Sequence, residues 1–164
     1  MKMRKTTLTD LDEVMTIYKK ARQFMRQHNN PTQWLGGKPT QEQIEADIAR
    51  GTSYVCTNDG KIAGVLCFFR GTDPTYAIIK DGEWLNDEPY AVVHRIASSG
   101  EFKGVGTFMM QWAFSEYPNV RIDTHEDNYV MQNMLKKLGY TYCGIIHLEN
   151  GDPRLAYQKC TDSK

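Results

Sequence analysis

Apolar positions along the chain switch between two spacings, and the switches mark out its elements. Lys2 to Thr7 reads as a first strand. In "TDLDEVMTIYKKARQFM", Leu11, Val14, Tyr18, Ala21 and Met25 recur at intervals of three and four behind Thr9, which predicts a capped amphipathic helix. "NNPTQWLGGKPT" breaks that period with Asn, Pro and Gly. A second helix is predicted to start at Thr40, where Gln43 completes a capping box, and to stop at Gly51. "TSYVCT" and "KIAGVLCFFR" flank "NDG", a hairpin signature. "TDPTYAIIKDGEWLNDEP" has no clear period and reads as a loop with at most one helical turn. "YAVVHRIA" is short, apolar and β-branched, as a central strand should be. Strict alternation along it puts His94 on the same side as Tyr90, Val92 and Ile96. After it come a helix through "TFMMQWAFSEY", a strand "NVRIDT", a helix "NYVMQNMLKKLG", and two strands, "TYCGIIHL" and "RLAYQK", around "ENGDP". The order β-α-α-β-β-β-α-β-α-β-β describes an α/β protein built on a mixed sheet with helices on its faces. Exposed strand edges near "RLAYQK" would allow a homodimer.

At 164 residues the chain has the length of about one domain, and residues 1–164 are expected to form a single unit with a substantial core. Lys plus Arg and Asp plus Glu both total 20, so no net field draws in nucleic acid or an anionic membrane. The four cysteines form no CxxC pair and three lie in strand-like runs, which favours buried thiols over a disulfide framework or a zinc site. The first ten residues carry charge without an apolar leader, and no run of about 18 apolar residues occurs. The expectation is a cytoplasmic protein.

The chemistry concentrates in "GEFKGVGTFMMQW", residues 100–112, where Gly100, Gly104 and Gly106 precede a bulky apolar helix. A strand, a glycine-rich turn and a helix start make an anion site, because the first-turn N–H groups lack intrahelical partners and the helix dipole adds positive charge. Lys103 can add a cation. A flexible loop at a helix start is the plainer reading of the same residues. A Walker A loop is excluded, since no Gly-Lys pair stands in the required place. A dinucleotide-binding fingerprint would use Asp123 as its ribose acid, but Met109 occupies its third glycine position and the loop off the strand is long.

The strand "AVVHRIA", the loop and helix "KGVGTFMMQWAF", and "HEDNYVMQNMLKKLGY" together resemble the two core motifs of the GNAT superfamily of acyl-CoA N-acyltransferases. The family's loop reads Gln/Arg-x-x-Gly-x-Gly/Ala. Here Glu101 stands at the first position, with Gly104 and Gly106 at the glycines. The second motif maps onto Asn128, Met131, Met134, Leu135, Leu138, Gly139 and Tyr140, with Leu135 where many members carry a tyrosine. The element order agrees over essentially the whole chain. The resemblance implies a central mixed, mostly antiparallel sheet with helices on both faces, and transfer of an acetyl group from acetyl-CoA, used as co-substrate without a metal, to a primary amine of a small molecule or peptide.

By position, the resemblance puts the backbone of Ile96 and Ala97 against pantetheine and acetyl, and Lys103, Gly104, Val105, Gly106 and Thr107 against pyrophosphate. Asn128 falls near the cofactor arm. Aminolysis of a thioester needs an unprotonated amine, a donor for the oxyanion and a route for the thiolate to leave. His94 and His125 are the candidate bases, each with a structural histidine as the alternative, and Glu126 and Asp127 are carboxylate candidates beside His125. Leu135 cannot donate a proton, which leaves Tyr129, another residue, water or an unassisted thiolate. Gln33 and Trp34, between the first two helices, are candidates for the acceptor side, Trp34 through cation–π contact or as a loop anchor. A non-catalytic acyl-CoA-binding module and a nucleotide-binding protein of dehydrogenase type remain the other readings.

Overall fold

A computed structural model describes residues 1–161. The strands are β1 (Lys2–Lys5), β2 (Ser53–Asn58), β3 (Lys61–Arg70), β4 (Ala91–Ser98), β5 (Asn119–Thr124), β6 (Thr141–His147) and β7 (Pro153–Cys160). The helices are α1 (Leu11–Gln27), α2 (Gln41–Arg50), α3 (Val105–Glu116) and α4 (Tyr129–Lys137), with short 3-10 turns at Leu8–Asp10 and Pro74–Tyr76. The strands form one sheet in the order β1-β2-β3-β4-β5-β7-β6. Only β4 and β5 run parallel; every other neighbouring pair is antiparallel.

Local chemistry accounts for most boundaries. The Thr40 hydroxyl accepts from the Gln43 N–H while the Gln43 side chain accepts from the Thr40 N–H, closing the expected capping box, and Gly51 ends α2 in the left-handed region. The start of α1 differs from expectation. Thr9 bonds only to the Thr7 hydroxyl, whereas Asp10 accepts from the Thr7 N–H at 2.8 Å and pairs with Arg4 through both carboxylate oxygens. Thr9 and Asp10 are adjacent acceptors, and the arginine from β1 selects the carboxylate.

The sheet buries an apolar layer on each face. Leu66, Phe68, Ala91, Val93, Val120, Ile122 and Tyr157 pack with Val105, Met109, Met110 and Ala113 of α3 and Leu135 of α4. On the other face Val55, Val65 and Ala97 pack with Val14, Ile17, Tyr18 and Ile44 of α1 and α2. Tyr76 packs there on Val92, Ile146 and Ala156, with Ile79 and Trp84 beside them, so the segment between β3 and β4 serves as the cover for the second half of that face. Gly64 lets α3 lie directly on β3: a Cβ there would stand 2.8 Å from both Met109 Cε and Val105 Cγ1. Cys56, Cys67 and Cys143 are buried free thiols, and no described helix is long and apolar enough to cross a membrane.

Two expectations are corrected. "RLAYQK" lies in β7, which pairs with β5 on one side and β6 on the other, so the sheet edges are β1 and β6. A hairpin read in sequence does not say which of its strands docks on the sheet, and here the later one does. Strict alternation in β4 also fails. Arg95 takes φ 52° and the pairing with β3 shifts by one residue between Val65 and Cys67. Tyr90, Val92 and His94 share one face as expected, but Ile96 packs against the α3 and α4 cluster, while Ala97 packs against α1 and α2. A bulge residue resets the period of two.

Candidate functional site

The parallel pair β4 and β5 is joined only at its start, with Ala91 opposite Val120 and Val92 opposite Arg121. Beyond Val92 the strands part, so the last six residues of β4 have no strand on that side. The Arg95 bulge falls in this free stretch. It is held from two directions: the Tyr18 hydroxyl donates to the Arg95 carbonyl at 2.7 Å, and the Arg95 guanidinium makes a bidentate pair with Asp47 at 2.9 and 2.8 Å. The Asp47 side chain is 3% exposed, so the pair is anchored inside the protein by α2.

Two cavities meet at the parted strands. The larger, about 660 Å³, runs between the second half of α1, the end of β4 and the starts of α3 and α4. Ile96, Ala97, Gly106 and Asn128 line it, as do Met25, Met109, Met131 and Met134, and its walls are mainly apolar. At α3, Gly104 is the N-cap at φ 76°, with open space where a Cβ would stand. That conformation is one L side chains rarely adopt. The N–H groups of Val105, Gly106 and Thr107 lie in the first turn, ahead of the first intrahelical bond, from Phe108 to the Gly104 carbonyl. Lys103 is exposed beside them, and the Val105 side chain turns into the core. Gly106 has a packing role as well, since a Cβ there would meet Met134 Sδ at 3.1 Å. Leu135 is fully buried in the core.

The smaller cavity, about 370 Å³, shares Met25, Ile96, Asn128 and Met131 with the first and is far more polar. Gln33, Trp34 and His94 line it, with Asp73, Asp123, Thr124 and Arg154. His94 Nε2 lies 2.6 Å from Asp73 Oδ2. A carboxylate accepts, so Nε2 carries a proton, and in the neutral ring the lone pair is on Nδ1. Nδ1 stands 4.0 Å from Asp123 Oδ2, which accepts from the Tyr76 hydroxyl at 2.7 Å. Burial opposes the charge on Asp73, but hydrogen bonds from His94 and from the Thr75 hydroxyl and N–H outweigh it and hold its pKa below the ordinary carboxylate value.

His125 is placed differently. Its Nδ1 accepts from the Asp127 N–H at 3.0 Å, which leaves the proton on Nε2 to donate to the Thr32 hydroxyl at 2.9 Å. Both ring nitrogens are engaged, and His125 lines neither cavity. Asn128 caps α4 by accepting from the Met131 N–H, and its amide donates to the Gln33 side-chain oxygen at 2.9 Å. The Gln33 oxygen also accepts from Asn30. Trp34 meets Tyr18 edge to face at 5.6 Å. Glu126 lines neither cavity, whereas Asp127 lines the larger one.

The glycines, His94, Asn128 and the Gln33-Trp34 pair were legible in sequence. Asp73, Tyr76, Arg95 with Asp47, and Arg154 were not, because each depends on a contact across the chain, Asp73 reaching His94 over 21 positions and Arg154 reaching Gln33 over 121. The only local sign was "TDPT", an Asp before Pro that starts a turn.

Residues 11–140 match the model of the acetyltransferase (GNAT) family. The chain belongs to the GNAT family. It is 34% identical to a GNAT-family acetyltransferase from Streptococcus agalactiae, over 99% of this chain and 96% of that one, with a TM-score of 0.88. A GNAT-family acetyltransferase from Listeria monocytogenes superposes with a TM-score of 0.70 at 23% identity, covering 96% of this chain and 93% of that one. A ribosomal-protein-alanine N-acetyltransferase from Brucella melitensis shares the fold, with a TM-score of 0.63 at 15% identity over 98% and 100% of the two chains. No curated protein matches the sequence significantly. GNAT membership supports acyl transfer as the reaction class.

Proposed function

We propose that the protein transfers an acetyl group from acetyl-CoA to a primary amine of a small molecule or peptide, by direct attack in a ternary complex. The observation that carries this is the parting of β4 from β5 at Val92, with an apolar cavity and a helix start on one side of the gap and the His94–Asp73 pair on the other. The residues fit the co-substrate. The unpaired edge of β4 at Ile96 and Ala97 would take the pantetheine amides as a strand takes a neighbour. Lys103 and the N–H groups of Gly104, Val105, Gly106 and Thr107 would hold the pyrophosphate. When bound, acetyl-CoA supplies an acyl carbon activated as a thioester.

The chain's own groups do the rest. Asp123 and Asp73 attract the acceptor as an ammonium beside Gln33 and Trp34. His94 takes the amine's proton at Nδ1, directly or through one water, while Asp73 holds the ring by Nε2–H and stabilises the imidazolium that forms. His125, with both nitrogens engaged, acts as a tie between the Thr32 loop and the start of α4. Asn128 fixes Gln33 where the two cavities join.

Calorimetric titration with acetyl-CoA, followed by a thiol-release assay against small amines and N-terminal peptides, tests the reading. Binding followed by amine-dependent release is expected. His94→Ala should lower kcat by about 10²- to 10⁴-fold, the usual contribution of a positioned base, and leave acetyl-CoA binding intact. Binding without release from any amine would favour a non-catalytic acyl-CoA-binding module instead.

A further inference from the structure

The smaller cavity holds a cation that the proposed transfer does not use. Arg154, at the start of β7, is 6% exposed. Its Nη1 donates to the Pro153 carbonyl at 2.9 Å and its Nη2 to the Gln33 carbonyl at 3.2 Å. A guanidinium has five N–H donors, so three are left over. Among the described residues, no carboxylate lies within 4 Å of it.

Of the other ionic groups lining the cavity, Arg95 is paired with Asp47 and Asp73 with His94, while Asp123 accepts from the neutral Tyr76 hydroxyl, keeps its charge and acts on Arg154 through space without touching it. Lys38 and Glu149 are exposed and solvated. A buried guanidinium with main-chain carbonyls as its only hydrogen-bond partners has its donors part-satisfied, and Asp123 and Asp152 act on Arg154 only through space, so an anion in direct contact would complete it. Thr124 adds an independent sign. It lines the same cavity, is 1% exposed, and its hydroxyl has no hydrogen-bond partner. Buried polar atoms are normally paired, so an unpartnered hydroxyl on a residue of this wall stands out.

We infer that the acceptor is an amine that also carries a carboxylate, with Arg154 as the carboxylate's partner and the His94, Asp73 and Asp123 side of the cavity receiving the amine. This rests on the transfer reaction proposed above. Planar bidentate pairing of guanidinium with carboxylate is the geometry Arg is suited to, and a neutral or cationic group in the same place would leave the guanidinium unmatched. The cavity thus carries both signs of charge, complementary to a zwitterion. The carboxylate can come from a free amino acid or from an acidic side chain near a peptide N-terminus, and the two sources call for separate arms.

The test is thiol release from acetyl-CoA by the purified full-length protein. One arm supplies the common amino acids as free acids and, in parallel, as their C-terminal amides. The other supplies alanine-initiated peptides with Glu or Gln at the second position. The expected result is a kcat/KM on the order of 10- to 100-fold higher for the carboxylate member of the matched pair in one arm, the scale of a hydrogen bond to a charged group. Arg154→Gln should compress that ratio toward one, mainly through the acceptor's KM. Arg154→Lys, which keeps the charge but loses the fork, should leave it in between, and it serves if the glutamine variant fails to fold. Equal rates for acids and amides in both arms, or faster amides, overturn the inference while leaving N-acetyl transfer intact. Thiol release from no amine at all defeats the transfer reading itself.

Discussion

The Asp47–Arg95 pair offers a direct test of how the site is built. Replacing Asp47 with Ala leaves the Arg95 guanidinium without its bidentate partner, in a protein where that carboxylate is 3% exposed. Removing one member of a buried pair costs about 3–5 kcal/mol, because the other charge stays behind. The Arg95 side chain is 25% exposed, so water reaches part of it and about 3 kcal/mol is the better figure. For a chain of this size that corresponds to a fall in Tm of about 6–12 °C. A second consequence concerns the bulge. Arg95 holds a left-handed conformation that costs of order 1–3 kcal/mol, and the ion pair and the Tyr18 bond are what hold it there. With the pair gone, β4 should drift toward regular pairing with β3. Ile96 and Ala97 would then move, and acetyl-CoA binding should weaken by about tenfold or more. Circular dichroism melting and calorimetry on Asp47→Ala, Arg95→Gly and the double variant give both quantities. The double variant should be about 2 kcal/mol more stable than the sum of the single effects predicts. A Tm within 2 °C of the parent, with acetyl-CoA affinity unchanged, would refute the idea that this pair sets the bulge.

Three further outcomes follow from other contacts. Gly64→Ala forces a methyl to 2.8 Å from Met109 Cε and Val105 Cγ1 in a fully packed layer, and should cost about 1–3 kcal/mol in denaturant unfolding. Asp10 is held at about 2, chiefly by its hydrogen bonds from Arg4, below the ordinary 3.8. Its contribution to stability is therefore full above pH 4 and is lost as pH falls through about 2. Asp10→Asn should flatten the stability profile across that acid window and lower the plateau above it, by about 1 kcal/mol after allowing for solvent screening of the exposed Arg4. His125→Ala removes the tie from Thr32 to the Asp127 N–H, and should lower stability by about 1 kcal/mol and raise the acceptor KM with little change in kcat. A loss in kcat comparable to that of His94→Ala would instead make His125 the base.

Much of the architecture was legible because it is written in short-range terms. The periods of α1 to α4, the Thr40–Gln43 box, Gly51 and the "NDG" hairpin involve residues within a few positions of one another, and local chemistry decides them whatever surrounds them. The glycines ahead of α3 belong to the same class, since a left-handed N-cap with open space around it is a demand on the backbone at one residue. These features, with Asn128 capping α4, carried the family resemblance. Tertiary structure decided the rest. The β7 strand took the interior place and β6 the edge because pairing with β5 is a long-range choice between two similar strands. The face of Ile96 was set by a bulge at Arg95, whose side chain pairs with an aspartate 48 positions away. His94 and His125 look alike in the chain, and only their partners separate an imidazole with a free nitrogen in a cavity from one bonded on both sides. Spacing along a chain encodes periodicity and turns; the charge, burial and proton position of a side chain depend on neighbours that only folding brings together.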